Sequence, residues 1–127
     1  MTFDTNVLVW YLRGNARAQA FVSGVPFDRR WLSAMVYFEL LQGCTSSKEV
    51  RILRKFVGKN FSRVVPLSEQ ISHRAGTLLE RHAVSHGLRA ADALIAATSL
   101  VTGKSLSTSN LAHFRRIRGL RLVSFTP

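Results

Sequence analysis

The stretch RAADALIAATSL, residues 89–100, constrains this chain more than any other segment. Alanine, leucine and isoleucine at that density form a helix readily. A helix that is apolar nearly all round is normally buried among its neighbours. Yet between Arg89 and Lys104 one charged side chain interrupts it, Asp92. A buried carboxylate without a partner costs on the order of several kcal/mol, so Asp92 has to be neutralised, paired or set against a cation. The fold must bury this helix and still supply that partner.

The rest of the chain reads as alternating strands and helices. Met1 to Asp4 forms a very short strand, followed by a helix-like VLVWYL that stops at Gly14. ARAQAFVSG makes a second short helix ending near Gly24. RRWLSA is a strand whose Ser33 caps the helix AMVYFELLQG, closed by Gly43. From Ser46 a helix runs through KEVRILRKFVGK, RVVPL is a strand, and Ser68 caps a long helix through His82. Gly103 closes the alanine-rich helix, LSTSN follows as strand and turn, and RLVSF is the last strand. Strands joined by helical connections long enough to cross over predict an α/β domain with a mainly parallel central sheet and helices on both faces. With 127 residues, no repeat and no linker, one domain is expected over residues 1–127.

Charge narrows the partners. Eighteen Lys and Arg stand against seven Asp and Glu, a formal net charge of +11. Such a surplus attracts polyanions, nucleic acid first among them, and acidic proteins or membrane surfaces as well. No apolar run approaches the roughly 18 residues of a membrane span. No basic leader precedes VLVWYL, and Cys44 is the single cysteine. Both point to a chain working in a reducing cytoplasm, with no membrane partner.

Scarce acids are informative acids. Asp28, Glu49, Glu69 and Glu80 lie among polar or basic neighbours, where solvent suffices. Asp4, Glu39 and Asp92 lie in apolar settings instead. Asp4 closes the first strand, at the edge where open α/β sheets gather ligands, and it is equally placed to cap the helix starting at Thr5. Glu39 and Asp92 each sit toward the start of an apolar helix. If these ends converge, three carboxylates repel one another unless a cation lies between them. Hard oxygen ligands alone suit Mg²⁺ or Mn²⁺ rather than zinc. Ions of that kind activate water and stabilise the charge of phosphodiester cleavage. A basic exterior around an acidic metal pocket is coherent chemistry for a nuclease.

FDTNVLVWYL, the helix with FELLQG, ADALIAA and the later TSNLAHF resemble, in this order, the four motifs of the PIN-domain ribonucleases. Among these the chain is most similar to the VapC-type toxins of bacterial toxin–antitoxin pairs. The resemblance rests on the combination, each motif alone being common. It implies a PIN-like fold and Mg²⁺- or Mn²⁺-dependent endoribonuclease activity. It places Asp4, Glu39 and Asp92 as the metal-binding acids, Asn6 as the polar residue two positions after the first, and Thr108 as the hydroxyl of the last motif. Where many members carry a fourth acid this chain has Asn110, which implies one firmly held metal and a second arriving, if at all, with substrate. The resemblance further implies a cognate antitoxin and a homodimer.

Two basic faces are candidates for RNA phosphates. Arg115, Arg116, Arg118 and Arg121 follow the last motif directly, and should lie near the mouth of the pocket. Lys48, Arg51, Lys55 and Lys59 recur at spacings of three and four on one helix face. Trp10, Tyr11, Phe38 and Leu41 are apolar candidates for a partner groove. His82 and His86 share a helix face, but with Gly87 next and no third soft ligand they read as helix-end residues. A phosphatase with Asp4 as nucleophile needs a second acid two residues on, where Asn6 stands. The remaining competitor is a non-catalytic nucleic-acid- or partner-binding module of the same fold.

Overall fold

The computed structural model describes residues 1–127. Five strands form one sheet: β1 (Thr2–Phe3), β2 (Trp31–Ser33), β3 (Arg63–Val65), β4 (Leu106–Thr108) and β5 (Leu122–Ser124). Seven helices connect them: α1 (Thr5–Leu12), α2 (Ala16–Ser23), α3 (Ala34–Gln42), α4 (Ser47–Asn60), α5 (Glu69–His86), α6 (Ala90–Thr102) and α7 (Leu111–Phe114). The order across the sheet is β3-β2-β1-β4-β5, and every neighbouring pair is parallel.

Local chemistry starts most of these helices. Asn15 accepts a hydrogen bond from the Ala18 amide, Ser33 from Met35, Ser46 from Glu49 and Ser68 from Ile71. Each satisfies an amide that the first turn would otherwise leave bare. α6 differs, because Arg89 stands at its cap position and offers no side-chain acceptor. α5 runs a turn beyond the expected stop at His82, to His86, and ends where Gly87 enters the left-handed region at φ 68°. Only glycine enters that conformation without steric cost, so the sharp stop sits at Gly87 and not before it. α7 was not expected; four residues are too few to show a helical period.

Alternation along β1 shows which helices cover which face. The Thr2 hydroxyl lies 2.5 Å from Ser99 on α6, whereas the next side chain, Phe3, meets Phe21 of α2 and Phe61 at the end of α4 edge-on. α6 therefore covers one face, with α5 packed along it, and α2 covers the other. Ala93, Ala96 and Ala97 of α6 are fully buried. Small side chains bring that helix close to the sheet, where buried Thr98 reaches Ser33 and Ser99 reaches Thr2. These hydroxyls are satisfied, as buried polar groups must be.

The strand order contains one reversal. From β1 the chain steps outward through β2 and β3, then returns to the other side of β1 as β4 and steps outward again to β5. The connections leaving β1 and β4 diverge, and a crevice opens beyond the carboxyl ends of those two strands.

Candidate active site

Asp4 follows β1 at this crevice and is 7% exposed. It does two jobs. Its Oδ1 accepts from the Thr5 amide at 2.8 Å and so caps α1, while Oδ2 accepts from the Thr108 hydroxyl at 2.8 Å. Thr108 ends β4, the strand beside β1, so the reversal itself brings these residues together across 104 positions of sequence. Thr108 Oγ1 in turn accepts from the Asn110 amide at 2.9 Å. A fully buried hydroxyl is thus held at both ends, and it orients the carboxylate.

Glu39 arrives from α3. It lies in the second half of that helix, not toward its start as the sequence suggested. α3 packs against α1, and the Thr5 hydroxyl donates to Glu39 Oε1 at 2.6 Å. Thr5 therefore serves two acids, Asp4 through its amide and Glu39 through its hydroxyl. Asp92 sits in the first turn of α6, where uncapped amides and the positive end of the helix dipole favour a carboxylate. Its side chain is 22% exposed and faces His113, whose Nδ1 lies 3.5 Å from Oδ2. That contact is the partner the apolar helix called for.

All three acids line one open cavity of about 420 Å³. Burial pushes the Asp4 carboxyl above its ordinary range; the Thr108 and Thr5 hydrogen bonds oppose this, and the negative charges of Asp92 and Glu39 add to it. Burial also raises Asp92, against the pull of His113 and Arg89. Three carboxylates on one wall, with hard oxygens and no thiolate among the lining residues, fit a hard divalent cation. As the side chains stand, no three acidic, imidazole or thiol groups close into a ready ligand set. Thr5 holds Glu39 and His113 engages Asp92, so the acids share a cavity wall while turned to separate partners.

Asn6 and Asn110 also line the cavity. Asn6 accepts from the Ser109 amide at 3.4 Å, tying α1 to the turn after β4. Asn110 Nδ2 lies 3.2 Å from the His113 ring nitrogens. Sequence reasoning had not singled out Thr5 or Arg13, and had offered Trp10 only for a partner groove; all three complete much of the wall. Asn6, Val9, Trp10 and Arg13 recur at spacings of three and four, so the face of α1 carrying Asn6 was the signal available. The Arg13 guanidinium lies 5.9 Å from the Trp10 ring centroid.

The predicted basic residues divide. Arg115 and Arg116 line a second cavity that shares His113 with the first. Arg118 lines neither, nor do Lys48, Arg51 and Lys55, which are exposed along α4. Arg121 sits at the opposite, amino end of the strands, preceding β5 and donating to the Gly103 carbonyl, because the chain returns there after α7 to start β5 parallel to β4. A groove of about 620 Å³ between α1, α3 and α4 is lined by Leu12, Leu40, Ile52 and Leu53, and shares Thr5, Arg13 and Glu39 with the acid cavity. Of the apolar candidates, Trp10 and Phe38 are exposed; Tyr11 and Leu41 instead pack on the core, Tyr11 against Phe56.

Residues 1–120 match the model of the PIN domain family. Ribonuclease VapC19 of Mycobacterium tuberculosis is 36% identical over 116 residues, which cover 87% of this chain and 89% of that protein. Ribonuclease VapC10 of the same organism is 31% identical over 120 residues, 93% and 88% of the two chains. Among solved structures, the DNA-bound VapBC of Salmonella typhimurium superposes with a TM-score of 0.82 at 19% identity, covering 97% of this chain and 96% of that one. A toxin–antitoxin complex from Klebsiella pneumoniae gives 0.79 at 24% identity, with 96% and 94% covered. These two likenesses speak for the fold; the family match and the two mycobacterial relatives speak for descent. An acid at the end of β1, a hydroxyl at the end of β4 and a sequence match over nearly the whole length make this chain a member of the PIN domain family.

Proposed function

We propose that this protein is a metal-dependent endoribonuclease and the toxin of a toxin–antitoxin pair. The observation that carries the reading is the meeting of Asp4, Glu39 and Asp92, from three separate elements, in one cavity at the sheet's reversal point. The naming of the mycobacterial relatives as ribonucleases supports the activity, and the solved toxin–antitoxin neighbours support the pairing.

Asp4, Glu39 and Asp92 would hold Mg²⁺ or Mn²⁺. When bound, such an ion supplies Lewis acidity and lowers the pKa of water. The chain's own contribution is orientation. Thr108 and the Thr5 amide hold Asp4, the Thr5 hydroxyl holds Glu39, and the first turn of α6 presents Asp92. Asn6 and Asn110 supply neutral polar atoms on the wall, and Arg13 supplies a positive charge to the phosphate as its own charge grows. In the net reaction a water oxygen bonds to phosphorus and the bond from phosphorus to the 3′ oxygen breaks. A proton of that water ends on the 3′ oxygen, leaving a 5′-phosphate and a 3′-hydroxyl. Arg115, Arg116 and Arg118 on one side, and Lys48, Arg51 and Lys55 on α4, supply longer-range attraction for RNA.

The groove between α1, α3 and α4 is the proposed seat of the antitoxin, because an apolar segment laid there reaches Thr5, Arg13 and Glu39, which the groove shares with the acid cavity. Self-association into a homodimer in the cytoplasm belongs to the same proposal, and sedimentation as a monomer at high concentration removes that part. No helix is long and apolar enough to cross a membrane.

The test is cleavage of total cellular RNA by purified protein with chelator, Mg²⁺ or Mn²⁺, beside Asp92→Asn. Cleavage restored by either ion, and absent in the folded variant, is expected. RNA binding with no cleavage under any ion identifies the non-catalytic module instead. Full activity in Asp92→Asn overturns the site.

A further inference from the structure

Beside the acid cavity lies the second one, of about 250 Å³, and its lining has an unusual composition. His82 and His86 come from the end of α5, His113 from α7, and Arg115 and Arg116 from the turn that follows. No carboxylate lines it. Neither arginine lies within salt-bridge distance of a carboxylate; the one such contact in the protein is His113 with Asp92, an ion pair when the imidazole is protonated. Buried Leu88 and Ile117 line it as well, so the basic groups, most of them exposed, rim a concavity with an apolar floor.

Three observations decide what such a place takes. First, two elements converge on it. An ordinary charge run disperses its cations, because like charges repel. Second, its donors suit phosphate oxygens: guanidinium groups bind them through paired N–H bonds, and each imidazole has an N–H to offer. Third, His113 belongs to both cavities, facing Asp92 in one and standing with the arginines in the other. A strand whose scissile phosphate sits at the acids therefore carries a neighbouring phosphate past His113. A metal is the rival occupant, because His82 and His86 are four apart with their Nδ1 atoms 3.4 Å from each other. Arg115 and Arg116 in the same cavity repel a dication, and no third ligand joins the pair. Anion binding is favoured.

We infer that the cavity formed by His82, His86, His113, Arg115 and Arg116 is a subsite for the RNA backbone phosphate adjacent to the one cleaved. The inference rests on the ribonuclease reading for its placement beside the scissile bond, but the phosphate contact can be measured without cleavage. The arginines provide the charge. His82 and His86 provide shape and hydrogen bonds, and with them a preference for the strand's path as it leaves the acid cavity.

The experiment measures binding of a short fluorescent single-stranded RNA by anisotropy across a salt titration. Wild type, Arg115→Ala/Arg116→Ala, His82→Gln/His86→Gln and a control, Arg17→Ala on α2, are compared. The double arginine variant is expected to weaken binding about tenfold and to flatten the log–log salt slope by about 0.7, the value for one phosphate contact on a single strand. The histidine variant is expected to lose about 2- to 5-fold with little change of slope, since neutral hydrogen bonds release few counterions. A scan that replaces single phosphates by uncharged methylphosphonates then locates the contact. One substituted position beside the mapped cleavage site should weaken wild-type binding and leave the arginine variant unaffected. An unchanged salt slope in the arginine variant, or no methylphosphonate position that distinguishes the two proteins, overturns the inference. Zinc binding that needs His82 and His86 and displaces the RNA overturns it too, in favour of a metal site. If phosphate binding behaves as expected while no RNA is cleaved under any ion, the ribonuclease reading fails and the anion site stands, so the two failures are distinct.

Discussion

Replacing Thr108 by valine tests how the sheet builds the site. Valine occupies nearly the same volume, so no cavity forms in this fully buried position. What disappears is the hydroxyl that donates to Asp4 Oδ2 at 2.8 Å and accepts from the Asn110 amide at 2.9 Å. A hydrogen bond to a carboxylate contributes about 1.5 to 3 kcal/mol. Asn110 is only partly buried, so its amide recovers water and adds little. The expected loss is about 2 kcal/mol, which at roughly 3 to 5 °C per kcal/mol for a domain this size lowers Tm by about 6 to 10 °C. The hydroxyl also holds the Asp4 carboxyl down against burial, so its removal raises that group further, readable from the Asp4 carboxyl carbon by NMR titration. Cleavage should fall about 10- to 100-fold, the usual loss when a group orienting a ligand is removed. Thr108→Ser separates orientation from stability: it keeps the hydroxyl and loses a buried methyl, so it should be about 1 kcal/mol less stable and close to fully active. A valine variant with unchanged Tm, an unchanged Asp4 titration and full activity would refute the claim that β4 orients the first acid.

Thr5→Val frees Glu39 from its 2.6 Å bond, and cleavage should fall about 10- to 100-fold, with stability changing by about 1 kcal/mol and serine restoring activity. Asp92→Asn should unfold cooperatively with a Tm close to wild type, since it loses a helix-dipole contribution of about 0.3 to 1 kcal/mol but also an ionisable group that burial opposes. The raised Asp4 and Asp92 carboxyls give a signed pH prediction for the ion-free protein. In the window between the ordinary aspartate range and the raised folded values, the folded state binds more protons than the unfolded state, so these groups lose stability as pH rises. Calorimetry from about pH 4 to 7 should therefore show Asp92→Asn gaining on wild type as pH increases, and a variant that loses ground to wild type instead contradicts the burial of that carboxylate.

Most elements were legible along the chain because their boundaries are local chemistry. Ser33, Ser46 and Ser68 cap the helices they precede, and Gly87 and Gly103 end helices by taking left-handed backbone. The misplaced end of α5 and the unexpected α7 are failures of the same signals: a histidine near a glycine does not stop a helix, and four residues carry no period. Glu39 was found by its chemical oddity among apolar neighbours, but its place along α3 was misjudged because tertiary contact with Thr5, not the helix end, brings it to the cavity. Arg13 went unremarked, and Trp10 was read for a partner groove and not for the acid cavity, because an arginine and a tryptophan on a short helix are ordinary until something is seen opposite them.

By itself the sequence determined the parallel α/β pattern, the buried α6 and the three acids that its apolar surroundings made conspicuous. Periodicity, capping and burial of hydrophobic surface act over a few residues and can be read in one dimension. The tertiary structure alone decided that β4 returns to lie beside β1, which puts Thr108 on Asp4, turns Asp92 toward His113 and leaves the basic cavity next to the acidic one. Those are through-space contacts between residues far apart in the chain, and their energies depend on distance in three dimensions, which no spacing along the chain encodes.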